Sequence, residues 1–461
     1  MIGVVAIARS TFDVPLAESV HAAALTTLGE LGVEVVGPPV LVYAPEELAA
    51  VEAALRGRPL DRLLVLQVTF ADAGMLLALA AAVPAPIVLW GFPEERRGGR
   101  PRLNSLCGIN LAAHALGRAG RSFGWLYAPP TDKAALGRAL EAPAAAPPPA
   151  VTVIEAEPLA EARAEAALDL LQANRIGLFG EHPPGFETCR FDPGWLERVL
   201  GVAVERVALD ELFAAARALP ADAILPVMAR ARAELADLDR LERAPVEGTL
   251  RLYAALRQRV EQAGLGAVAV RCWPETFTEM GCAVCGAMGM LSEDGVPAAC
   301  EADVMGNVTS LLLQAISDEP PFLVDLVDID AADDTAVFWH CGLAPRSMAN
   351  PATPPRAEIH ANRKKPLLQS FALRPGRVTV ARLSQARNEP QLVLAGADML
   401  DRPLPYCGTA GVARFDAPVT AVLGRLMALG LEHHVSFAYG EHRPVLRAVA
   451  AKLQLPVVEL C

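Results

Sequence analysis

GVVAIARSTFDVPLAESVHAAALTTLGELGVEVV, residues 3–36, is the stretch whose reading decides the fold. Residues 3–7 are a short apolar, β-branched run. Residues 16–31 place leucine and alanine at helical spacing, and 33–36 is a second β-branched run. This is strand, helix, strand, and the rhythm continues. Strands are expected at 63–68, 86–90 and 122–126, with helical patterns at 45–55 and 106–116. Such alternation predicts an α/β domain over residues 1–140, a parallel sheet covered by helices on both faces. The segment 141–150 is rich in proline and alanine without apolar periodicity and reads as a linker. A second α/β domain is expected over 151–317, with a strand starting near Arg175, another at 266–271, a helix at 280–291 and a helix after Glu301. From 318 to 461 the pattern changes to β-rich runs at 322–329, 336–340, 377–383 and 391–395. One late helix at 418–429 precedes His433 and His434.

Composition narrows the function. A chain of 461 residues is long enough for two or three domains with buried cores. With 53% hydrophobic and 20% charged residues it is neither disordered nor a coiled coil. A net charge of -12 argues against nucleic-acid partners, whose phosphates repel an acidic surface. Lys133, Lys364, Lys365 and Lys452 are the only lysines and none follows a glycine, so P-loop chemistry is excluded. Nine cysteines in so long a chain do not make a disulfide scaffold. The first residues lack a signal peptide's basic region, and the longest apolar stretch, 75–90, is broken by Pro84 and Pro86. The expectation is a soluble, reduced, cytoplasmic protein with no membrane partner.

The candidate chemistry lies after residue 270. Cys282 and Cys285 form a Cys-x-x-Cys pair with no second pair nearby, in a stretch of small apolar residues that reads as core. No GxGxxG motif supports dinucleotide binding. Glu301 and Asp303 precede an amphipathic helix, where Asp303 reads as its N-cap. Asp325 stands in a strongly apolar run where an unpaired carboxylate is costly, and a metal or cationic partner would offset that cost. Strand alternation puts Asp325 and Asp328 on opposite faces, so at most one faces a site. His340 and His434 flank apolar strands, as core residues or as ligands. Glu301, Asp325 and His434 together form a mixed oxygen and nitrogen set suited to Mn²⁺, Mg²⁺ or Co²⁺ rather than structural zinc. Arg363-Lys364-Lys365 reads as a solvated loop or as a pocket for an anionic group.

Four dispersed stretches resemble the L-fucose isomerase and L-arabinose isomerase superfamily, most closely its fucose isomerase side. They are Ala6-Ile7-Ala8-Arg9; Ile87 to Phe92 with Arg96, Arg97 and Ala112-Ala113-His114; Ala299 to Gly306 with Pro321-Phe322 and Asp325; and Glu432-His433-His434 with Tyr439, Gly440 and His442. The resemblance covers essentially the whole chain. It implies two doubly wound α/β domains and a C-terminal β-barrel-like domain, with the site between the second and third. It implies a homo-oligomer, a hexamer or trimer, in which a neighbour's first domain closes the pocket. It further implies a divalent metal, Mn²⁺ first with Mg²⁺ or Co²⁺ as alternatives, held by Glu301, Asp325 and His434. Glu301 and Asp325 would also be the acid/base pair, with Arg9 and His340 on substrate hydroxyls. Trp90 or Trp273 would offer a face to the sugar ring or serve in packing. The chain is shorter than fucose isomerases, and Val68-Thr69-Phe70 stands where they place a tryptophan. The sugar therefore stays open between a fucose- or arabinose-like aldose and an anionic 6-substituted one. The activity implied is aldose–ketose isomerisation through an enediol. The rivals are a metal-dependent sugar aldolase or lyase and a non-catalytic sugar-binding protein.

Overall fold

The computed structural model describes residues 1–142, 151–152 and 158–461. Most of the expected linker, residues 143–150, lies outside the described residues. The first domain is the expected parallel sheet. Ile2–Ile7 pairs with Arg62–Gln67, which pairs with Ile87–Gly91 and then Phe123–Tyr127. On the other side Ile2–Ile7 pairs with two short strands, Val35–Val36 and Leu41–Val42, the second of which lacks a periodic signal. Leu63, Leu64, Val65 and Leu66 are all buried, as expected of strands covered on both faces. Strand order reverses between Ile2–Ile7 and Arg62–Gln67, so a crevice opens at their carboxyl ends. There the Arg9 backbone N–H donates to Thr69 Oγ1 (2.8 Å), fixing the two loops to each other.

The second sheet is also parallel, in the order Ala298–Ala299, Ala267–Val270, Arg175–Phe179, Ala203–Val207. The carboxyl ends of the inner strand Ala267–Val270 and of the edge strand Ala298–Ala299 lead into Cys272-Trp273 and Cys300-Glu301. The third sheet is mixed and ten-stranded. Six of its strands pair in a circuit: Phe322–Asp330, Thr335–His340, Thr409–Phe415, Gln391–Met399, Gly376–Ser384 and His434–Tyr439, which returns to the first. The helix Val304–Ser317 packs against this sheet, with its Thr309 Oγ1 accepting from the Leu383 N–H (2.9 Å). The expected late helix is Val419–Leu429, and a second, Arg443–Leu453, follows it. The short strand Val151–Thr152 pairs with Pro456–Glu459 in the third sheet rather than joining the second.

The first and third sheets and their helices are joined by buried polar contacts. Asp328 forms an ion pair with Arg96 (2.6 Å) and accepts from the Tyr127 hydroxyl (2.7 Å), so it faces the first domain. The opposite faces expected from alternation do not account for its separation from Asp325: an irregularity between Leu326 and Asp328 pairs Asp325 with Trp339 and Asp328 with Val337, two residues apart on one strand and so on one face. His114 is fully buried, its Nδ1–H donating to the Gly430 carbonyl (2.9 Å). All nine cysteines are free thiols. No single helix among the described residues is long and apolar enough to cross a membrane.

Candidate active site

Asp325 and His434 are register partners on adjacent antiparallel strands, which sets their side chains beside each other. Asp325 Oδ1 lies 3.5 Å from His434 Nε2. Glu301 arrives from the second sheet on the tight turn Cys300–Ala302. Glu301 and Ala302 both take the left-handed conformation (φ +56° and +57°), a strain of about 1–3 kcal/mol per residue that tends to gather at functional sites. The turn brings Glu301 Oε2 to 3.8 Å from the same His434 Nε2. Glu301 is held further by the Trp273 indole N–H on Oε1 (3.1 Å) and by the His433 Nε2–H on Oε2 (3.0 Å).

The other face of His434 explains its protonation. Its Nδ1–H donates to Asp303 Oδ2 (3.0 Å), so Nε2 carries a lone pair. Burial, with the like charge of His433 second, pushes the His434 pKa below its ordinary value, which favours that neutral ring. A lone pair and two carboxylates therefore converge in a buried space, and Asp325 Oδ1 has no protein hydrogen-bond partner. Donor atoms of His434 group within 4.8 Å with Asp325 and His340, and again with Glu301 and Cys189. Converging acceptors of this kind repel one another unless a cation lies among them. A carboxylate behind the imidazole is the usual way a metal-binding histidine is oriented. The residues present fit a divalent cation.

Asp303 does more than cap the helix Val304–Ser317. Its Oδ1 accepts from the Gly306 N–H (2.9 Å) as expected of an N-cap. It also receives two bonds from the fully buried Arg382 (2.6 and 3.1 Å). Burial alone would raise the Asp303 carboxyl. Arg382 and His434 more than reverse that and hold it well below the usual carboxylate range. Glu301 is treated the same way: burial raises it, and His433 with His434 and Trp273 brings it below its ordinary value. Gly306 makes the arrangement possible, because a Cβ there would stand 2.6 Å from both Arg382 Nη1 and Asp303 Oδ2.

Around these groups lies a cleft that the chain's own first domain helps to line, through Arg9, Thr11, Phe12, Phe70 and Asn104. Arg9 pairs with Asp72 (2.9 Å) and stacks on Trp273 at 5.0 Å, and Arg363 stacks on the same indole at 5.1 Å. His340 also lines the cleft. Its Nδ1 accepts from the Cys341 N–H (2.9 Å), which leaves the proton on Nε2, an atom with no protein partner. Trp90 is a correction. It is fully buried in the first domain, its indole N–H donates to the Ala128 carbonyl (3.1 Å), and Phe92 lies 5.0 Å away. It packs the core and offers no face to a substrate. His442, within the C-terminal motif, bonds the Tyr439 carbonyl (2.8 Å) and does not line the cleft.

Sequence reasoning did not single out Arg382 or the role of His433. An arginine inside the apolar run 377–383 was the available signal for the first. For the second, the strand begins at His434, so alternation does not separate the two histidines. Their rings stack 4.0 Å apart.

Relatives decide the family. Residues 3–141 match the family model described as fucose/sulfoquinovose isomerase, N-terminal domain. A sulfoquinovose isomerase of Priestia aryabhattai is 30% identical over 438 residues, 95% of this chain and 94% of that one. The chain belongs to the fucose/sulfoquinovose isomerase family. A second sulfoquinovose isomerase, from Alkalicoccus urumqiensis, is 30% identical over 98% of both chains. One from Clostridium sp. (strain MSTE9) is 28% identical over 96% of both. As a member of this family the chain is an enzyme, a sugar isomerase interconverting aldoses and ketoses. That sets aside the aldolase and binding-only readings.

Proposed function

We propose that this fucose/sulfoquinovose isomerase family member converts a six-carbon aldose bearing a sulfonate at C6 into its ketose through an enediol. We further propose that it does so with a divalent cation, Mn²⁺ first, held by Glu301, Asp325 and His434. The six-strand pairing circuit is read as the barrel-like C-terminal domain that carries Asp325, His340 and His434. The observation that carries the substrate reading is Arg363. It lines the cleft with Glu301 and Asp325, and among the described residues no carboxylate pairs with it. Burial, and then the like charge of Arg9, push its pKa down, so the guanidinium is short of counter-charge. A sulfonate supplies it. The names of the relatives point to the same sugar class.

When bound, the cation supplies Lewis-acid polarisation of the substrate's C1 and C2 oxygens. The protein does the rest. Isomerisation moves one proton between C1 and C2 and another between O1 and O2, and Glu301 and Asp325 are the two carboxylates at hand. Trp273 and His433 fix Glu301 in place, so it accepts a proton without reorganising. Asp325 Oδ1, free of protein donors, is the second carrier. His340 Nε2–H and Arg9 donate to substrate hydroxyls, and Trp273 gives the sugar chain an apolar face.

Proton NMR in D₂O tests the reaction. The product from 6-sulfoglucose should be a ketose carrying solvent deuterium. Ketose without deuterium would sink the enediol, and faster turnover of fucose or arabinose would sink the sulfonate reading. Arg363→Met should raise KM for the sulfosugar by about 10- to 100-fold, the worth of a charged hydrogen bond, with kcat little changed. An unaltered KM would remove Arg363 from the pocket's chemistry. Chelation should abolish turnover and added Mn²⁺ should restore it. Full activity in protein shown metal-free by atomic emission would defeat the metal reading.

A further inference from the structure

Four buried cysteines that the isomerisation does not use meet in the wall of the same cleft. Cys272 and Cys300 follow the carboxyl ends of the neighbouring strands Ala267–Val270 and Ala298–Ala299. Cys285 opens the helix Cys285–Glu293, and Cys341 follows the strand Thr335–His340. Cys272 Sγ lies 2.8 Å from Cys300 Sγ, and Cys285 Sγ lies 3.4 Å from Cys341 Sγ. His360 completes a ligand-grade group: one donor atom each from Cys285, Cys341 and His360 falls within 4.8 Å of the others. All five side chains line the cleft, so an ion can reach them from the substrate side.

Packing does not require this arrangement. A core thiol behaves as a small hydrophobe and is satisfied by carbon neighbours. Sulfur against sulfur beside an imidazole is instead the donor chemistry of a soft cation. We propose that Cys285, Cys341 and His360 form a second metal site, for a thiophilic divalent cation of the Zn²⁺ type. Its sulfur donors separate it from the oxygen-rich set of Glu301, Asp325 and His434, which suits harder ions. On binding, metal–sulfur and metal–nitrogen bonds form, both thiols release their protons to solvent, and no electrons are transferred. An ion here bears on the isomerase centre, because Cys341 holds His340 and Cys300 precedes Glu301 in its strained turn.

The test uses the full-length, reduced, chelator-treated protein, saturated with Mg²⁺ and then titrated with Co²⁺. The expected result is a near-ultraviolet sulfur-to-cobalt charge-transfer band that saturates at one equivalent and is bleached by Zn²⁺. Cys285→Ser/Cys341→Ser should lose the band, and Cys461→Ser, away from the cleft, should keep it. Absence of the band in the wild-type protein overturns the proposal. A band that survives in the double variant also overturns it, placing the cobalt elsewhere, such as at Cys189 beside Glu301 and His434. Should the double variant fail to fold, His360→Gln decides: it should weaken Co²⁺ binding by ~10-fold or more, and unchanged affinity rejects the site. The readout is absorbance, so it stands or falls independently of the sugar that the enzyme isomerises.

Discussion

Asp325→Asn lowers kcat by about 10²- to 10⁴-fold, the range over which a positioned general acid or base contributes, and Glu301→Gln does the same. Both substitutions keep an oxygen at the ligand position and remove only the capacity to carry a proton. The loss therefore shows in turnover even when Mn²⁺ is supplied at saturation. Electron paramagnetic resonance of bound Mn²⁺ separates the two roles: each variant should still bind the ion, more weakly, while solvent deuterium no longer enters the sugar. If either variant exchanges the C–H proton at the wild-type rate with Mn²⁺ bound, that carboxylate is a ligand and not a shuttle. The geometry behind the expectation is the convergence of Asp325 Oδ1 (3.5 Å) and Glu301 Oε2 (3.8 Å) on one imidazole nitrogen.

Arg382→Met destabilises the fold by about 3–5 kcal/mol, because Asp303 is then a buried charge without its main counter-ion. Arg382 and Asp303 are each only 1% exposed, so water cannot replace the lost partner. Urea unfolding measures the effect, and a loss below about 1 kcal/mol would show that the pair is screened after all. The companion variant Asp303→Asn/Arg382→Met removes both charges and keeps an N-cap residue on Val304–Ser317. It should recover most of the stability, since replacing a whole buried pair is often close to neutral. Its Mn²⁺ affinity should still fall by about 10- to 100-fold, because His434 loses the carboxylate that fixes its tautomer and ring plane. Stability recovered with metal affinity unchanged would make Asp303 a purely structural residue.

The parts of the site read from sequence were those whose signal is local. Asp325 stood out because a carboxylate in an apolar strand needs a partner, and the strand runs where it was expected. Glu301 and His434 were candidates by their places beside apolar runs and took their roles from motif resemblance, and the structure brings both to the same point. Arg363 carried two readings, a solvated loop or an anion pocket. Only the packing of its loop against Trp273 and Phe277 puts it in the cleft. Trp90 and Trp273 were equivalent as sequence, since each stands at or just beyond the end of an apolar run. They part because the first domain closes over Trp90, whereas Trp273 leaves its sheet at the edge facing Glu301.

Sequence by itself determined the strand–helix rhythm, the parallel first sheet, the β-rich third region and the residue types able to hold a hard cation. Each of these depends on periodicity or composition within a few turns of chain. Tertiary structure alone decided that His434 would turn one nitrogen to Asp303, 131 residues away, and that Arg382, 79 residues beyond Asp303, would neutralise it. It also decided that four cysteines from different elements would meet at the cleft wall. These contacts have no local signature because they arise where the ends of separately formed sheets are packed together, and hydrophobic burial, which is not directional, sets that packing.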